Sequence, residues 1–126
     1  MIPMLIPKNL YYTENHLWLR KIGLYDFCIG ITDFAQKEIG EINLIEFNLE
    51  ENTIEEKKTW GFVYGTHKTF PLILPNEFTI TDVNVMLNEN PSHINIAPYS
   101  YWFLSISADI CTSEFLTNKE YIQLIK

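Results

Sequence analysis

A histidine and a lysine stand side by side, His67 and Lys68, inside the stretch "FVYGTHKTFPLILP" between two apolar runs. An amine so placed can form a stable amide, and an exposed imidazole moves protons near neutral pH. Other chemistry is poorly equipped. His16, His67 and His93 are far apart in sequence and match neither the i, i+4 helical spacing nor the Cys/His spacing of a metal site, so no metal is expected. Cys28 and Cys111 are too few and too separated for a metal cluster or a disulfide framework and are expected as buried apolar residues. There is no Gly-rich phosphate loop and no Gly-x-Ser-x-Gly elbow. Glu50, Glu51, Glu55 and Glu56 flank Asn52 and Thr53 and read as a solvated turn rather than paired acid–base carboxylates. Trp18, Trp60 and Trp102 fall in strand-like runs and read as core.

The elements that must position these residues are mostly short strands. "LWLRKI", "DFCIGI", "INLIEFNL", "WGFVYG", "FPLILP", "FTITDVNV" and "YWFLSISA" are rich in Ile, Val, Phe, Tyr and Thr, and several alternate apolar with polar. In "INLIEFNL" the alternation puts Ile42, Leu44 and Glu46 on one face and Asn43, Ile45 and Phe47 on the other, as expected of a strand buried between two layers. One helix, "DFAQKEI", is predicted after the second strand, capped by Thr32 or Asp33 and stopped by Gly40. Thr117 and Glu120 form a capping-box pattern before a C-terminal helix, and Ser113 with Glu114 marks a turn before it. "NENPSHINIAPYSYW" reads as a structured loop. Residues 65–69 then form the tip of a hairpin, where Lys68 is ordinarily a solubilising charge.

The chain's 126 residues, 47% apolar and 14% aromatic, fit one domain over residues 1–126, with 1–10 as an N-terminal extension and 113–126 as a C-terminal helical segment. A net charge of −7 argues against nucleic acid, whose phosphates call for clustered Lys and Arg. "MIPMLIPKNL" lacks a basic start and a sustained apolar run, and Pro3 and Pro7 interrupt any helix, so no targeting or membrane-spanning segment is read there. A cytoplasmic protein is expected. Seven strands with two small helices give a mainly β sandwich or barrel.

Four motifs, in order, resemble the H protein of the glycine cleavage system. "YTENHLW" is similar to that family's Tyr-Thr-x-x-His-x-Trp, and "IGITDFAQKEIGEI" to its Gly-Ile-Thr-Asp-Tyr-Ala-Gln segment with Leu-Gly-Asp-Ile after it. "VNVMLNENPSHIN" resembles its Val-Asn-x-x-Leu-x-x-Asn-Pro run, and "PYSYW" stands where the family has Pro-Tyr-x-x-Gly-Trp. The resemblance implies a lipoyl-domain-like barrel-sandwich hybrid of two antiparallel sheets and a carrier rather than an enzyme. In that family a lysine at a hairpin tip bears lipoate, and the loaded arm travels between partner enzymes.

The family motif around that lysine is Glu-Ser-x-Lys-Ala-x-Ser-Asp. Anchoring on Trp60-Gly61 and Pro75 without gaps puts Tyr64 at the Glu, Gly65 at the Ser, His67 at the lysine and Pro71 at the Asp. Leu17 replaces a groove-lining glutamate, and Lys68 lies one place late. An acyl group on imidazole is activated and quickly lost to water, so His67 cannot take over the lysine's part. Without carboxylates at Leu17 and Pro71, the cationic end of a loaded arm loses its compensation. The expectation is therefore an H-like protein with no cofactor that binds other proteins, including glycine cleavage enzymes or lipoate-attachment enzymes. The alternative is a working carrier with lipoate on Lys68. A third class, acid–base catalysis by His67 on a bare scaffold, lacks an orienting carboxylate nearby in sequence.

Overall fold

The structure, a computed structural model, describes residues 4–126. The helix break expected at Pro3 lies outside the described residues, while Pro7 sits in irregular chain. In chain order the elements are β1 (Tyr11–Tyr12), β2 (Leu17–Lys21), β3 (Asp26–Ile31), α1 (Asp33–Ile39), β4 (Ile42–Phe47), β5 (Thr53–Ile54), β6 (Thr59–Gly65), β7 (Thr69–Ile73), β8 (Phe78–Val83), α2 (His93–Ile96), β9 (Leu104–Ser107) and α3 (Asn118–Leu124). Single 3-10 turns cover Leu87–Glu89 and Thr112–Glu114. All seven expected strands are present. β1 and β5 are additional, and at two residues each they are too short to leave a period in the sequence. The loop expected over residues 88–102 contains the helical turn α2.

The strands form a six-stranded sheet, β1-β2-β3-β9-β8-β5, and a three-stranded sheet, β4-β6-β7. Every pairing is antiparallel. Leu17, Leu19, Phe27, Ile29 and Ile31 from the larger sheet meet Ile42, Ile45, Trp60, Val63 and Leu72 from the smaller one in the main core. A second cluster of Leu10, Tyr12, Trp18, Tyr99 and Tyr121 packs behind β2. Two-sided burial, expected at β4, belongs instead to β2, where Leu17 and Leu19 face one cluster and Trp18 the other. In β4 the register slips between Ile42 and Leu44, which brings Ile42 and Ile45 to the inside and leaves Leu44 44% exposed. Trp18 and Trp60 are core as expected, whereas Trp102 is half-buried at the edge of the second cluster.

Local chemistry explains the helices. Thr32, rather than Asp33, caps α1 by accepting the Ala35 N–H, and Gly40 ends it at φ 82°. Asp33 is freed for other bonds: its carboxylate accepts from Gln36 Nε2 and the Leu5 N–H and pairs with Lys37 at 3.3 Å. Thr117 and Glu120 form the expected reciprocal capping box on α3. The cysteines correct the expectation of burial. Cys28 is half-buried on β3, and Cys111 is exposed because it opens the 3-10 turn, with Sγ 3.0 Å from the Ser113 hydroxyl.

The two edges of the small sheet are blunted in different ways. On β4, Asn88 accepts from Ile45 N–H at 2.8 Å and donates to Ile45 O at 2.7 Å, while Asn95 accepts from Ile42 N–H and donates to Gly40 O. On β7 the middle residue is Pro71, which has no N–H to offer.

Candidate functional site

Strands β6 and β7 pair through Tyr64 and Thr69, leaving a tip of Thr66, His67 and Lys68 between β6 and β7. All three side chains of the tip are exposed, as the sequence leads one to expect. The backbone beneath them is not free. Gly65 N–H donates to Lys68 O across the tip, Thr66 N–H to Glu41 O, and His67 N–H to Ile39 O at 2.9 Å. Glu41 N–H returns a bond to Thr66 Oγ1. The hairpin end is therefore stitched to the junction of α1 and β4.

Two glycines permit this close approach. A Cβ at Gly40 would come within 2.7 Å of His67 Cδ2, so the imidazole lies over the glycine that ends α1. A Cβ at Gly65 would come within 2.5 Å of Ile39 O. His67 is thus laid back against the helix end, on the tip where the family attaches its arm.

Lys68 lies near enough for its charge to act on His16. The His16 ring is half-buried, packed 4.6 Å from the Phe34 ring centre and 6.4 Å from that of Phe70, with Nδ1 2.8 Å from the Tyr121 hydroxyl. Burial lowers its pKa below the usual histidine value; Glu38 opposes that shift and Lys68 adds to it. This recess joins β7, α1, α3 and the loop before β2. The motif "YTENHLW" names His16 but carries no sign of its neighbours, because Phe34, Phe70 and Tyr121 come from three distant elements.

The remaining altered positions are dispersed. Leu17 is wholly buried on β2 inside the main core and lines no groove. Pro71 is exposed on the β7 edge, opposite Phe62. Tyr64 donates its hydroxyl to Glu46 Oε1 at 3.1 Å across the β4–β6 pair, and that carboxylate raises the phenol pKa. Sequence reasoning missed Glu46, which restores an acid beside the position where the family has glutamate. The cross-strand register that brings it there depends on the β4 slip. Glu50, Glu51, Glu55 and Glu56 are exposed, as expected.

Two antiparallel sheets closed over one core, with a three-residue hairpin tip on the surface, define the barrel-sandwich hybrid of lipoyl-carrier domains. The family model described as "Glycine cleavage H-protein" matches residues 10–126. The chain belongs to the glycine cleavage H-protein family, a family of carriers rather than enzymes. It is 33% identical over 123 residues to the glycine cleavage system H protein of Geobacillus sp. (strain WCH70), covering 95% of this chain and 96% of that one. The H protein of Clostridioides difficile (strain 630) is 34% identical over 119 residues, covering 93% and 94%. The crystal structure of a glycine cleavage system H protein from Mycobacterium marinum superposes with a TM-score of 0.81 at 26% identity, covering 94% of this chain and 97% of that one. Among the described residues no helix is long and apolar enough to cross a membrane.

The tip does not fit a lipoyl group in the family's manner. His67 offers an imidazole nitrogen, not an amine, and its ring rests on Gly40. The one amine of the tip belongs to Lys68, a residue later.

Proposed function

We propose that this chain is an H-protein homologue that carries no lipoyl group and works by contact with proteins, namely the glycine cleavage or lipoate-attachment enzymes that handle H proteins. The observation that carries the reading is His67 at the attachment position, folded over Gly40 on a tip anchored by backbone bonds. An N-acyl imidazole is an activated acyl donor that water discharges, so no stable arm can be held there. The intact, closed scaffold supports retention of a binding role, since a rigid H-like surface is what such enzymes meet. Co-expression with a lipoate ligase and lipoic acid, followed by intact mass measurement, tests it. An unmodified mass is expected, and a lipoyl-sized increase located on Lys68 would overturn the proposal.

A second reading, a working carrier that uses Lys68, is favoured by one observation: this exposed amine shares the tip. In a reconstituted glycine cleavage assay, Lys68→Ala then abolishes both labelling and turnover. Turnover unchanged by that substitution rejects the carrier reading.

A further inference from the structure

Helix α3 has a single buried residue, Tyr121, whose ring stacks on Tyr12 with centres 4.9 Å apart. The partners of its hydroxyl therefore bear directly on whether α3 stays docked. That hydroxyl lies 2.8 Å from Thr32 Oγ1 and 2.8 Å from His16 Nδ1. Thr32 is fully buried, and its Oγ1 already accepts the Ala35 N–H as the cap of α1.

These contacts allow one fully satisfied arrangement when His16 is neutral. The Thr32 hydroxyl donates to the Tyr121 oxygen, Tyr121 donates to Nδ1, and the ring proton sits on Nε2. Protonation puts a hydrogen on Nδ1, so the imidazolium donates to Tyr121 and Nδ1 no longer accepts. Tyr121 and Thr32 can then donate only to one another, one at a time, so one of the two hydroxyl hydrogens is buried without an acceptor among these groups, which costs its desolvation.

We propose that His16 is a proton-operated latch on the C-terminal helix, closed by the Thr32–Tyr121–His16 chain when the ring is neutral and loosened when the ring is protonated. The groups that face the ring set its bias. Phe34 on α1 and Phe70 on β7 are uncharged, Tyr121 on α3 offers its hydroxyl, Glu38 on α1 favours the proton and Lys68 at the hairpin tip opposes it. The burial that lowers the His16 pKa acts in the same sense. Because the folded pKa lies below the ordinary 6.5, the latch is fully closed above 6.5 and is lost as pH falls through the lower folded pKa.

Amide hydrogen exchange over Asn118–Leu124, corrected for the intrinsic pH dependence of exchange, reads the latch directly. Protection is expected to drop roughly tenfold from about pH 8 to about pH 5, the scale set by one buried hydroxyl left without an acceptor. His16→Asn should remove that drop: asparagine tolerates the positive φ of 65° at this position, keeps a polar atom at the δ position and does not titrate. An equal drop in His16→Asn overturns the proposal. Nitrogen chemical shifts of the wild-type ring give a second measurement that needs no variant. A neutral ring carrying its proton on Nε2 supports the latch, and one carrying it on Nδ1 overturns it.

Discussion

The α1 segment, Thr32 to Gly40, and the β6–β7 hairpin touch one another, yet the first resembles the family motif as read in the sequence and the second departs from it. In α1 each retained residue has a visible task. Thr32 caps, Asp33 holds the N-terminal segment, and Gly40 takes a backbone conformation that favours glycine. In the hairpin the departures are equally well accommodated. Tyr64 bonds to Glu46, Gly65 makes room for Ile39, His67 lies on Gly40, and Pro71 sits on an edge where no N–H is needed. The hairpin tip is bonded to and packed on the helix end, so putting in the residues of the family motif one at a time should conflict with the scaffold to different degrees.

The largest conflict is expected at Leu17→Glu, which places a carboxylate in the main core with no partner and should cost about 3–5 kcal/mol at neutral pH. Burial would raise the pKa of that new acid above its unfolded value, so the loss should shrink as pH falls. Urea unfolding at two pH values reads both effects. Gly65→Ser, which restores the family's serine, drives a Cβ against Ile39 O and should cost about 2 kcal/mol in the same measurement. A loss no larger than that of an ordinary surface substitution there would break the comparison, because the tip would then be free of the helix end.

Smaller effects sharpen it. Tyr64→Glu sets a second carboxylate beside Glu46, and the slight drop in melting temperature should fade as salt is raised. His67→Lys should change stability by less than about 0.5 kcal/mol, since the side chain is exposed. It should nevertheless gain a lipoyl-sized mass on co-expression with a lipoate ligase. That pairing of negligible stability change with a new modification would isolate the side chain at position 67 as the missing element. Failure to be modified would assign the block to the anchored backbone instead.

Much of this architecture was legible beforehand, for physical reasons. Seven strands and both longer helices announce themselves through alternation and caps, which are local properties of the chain. The β4 face assignment failed because a one-residue slip reverses the inside and outside of a strand, and nothing in "INLIEFNL" marks the slip. The site divided along the same line. His67, Lys68 and the exposed tip follow from hairpin spacing. The anchoring of the tip, the Glu46 partner of Tyr64 and the aromatic surround of His16 arise from elements distant in sequence, as does the core position of Leu17.

The side-chain closure of β4 and β7 bears on how any partner is recognised. Domains with an open sheet margin can capture an extended peptide as an added strand, drawing affinity from the peptide's main chain almost regardless of its sequence. Here the β4 margin is occupied by Asn88 and Asn95, and Pro71 removes the central donor from the β7 margin, so the small sheet is a poor template for a visiting strand. A partner at this sheet must read a fixed relief of side chains, so its selectivity depends on matching shape and charge.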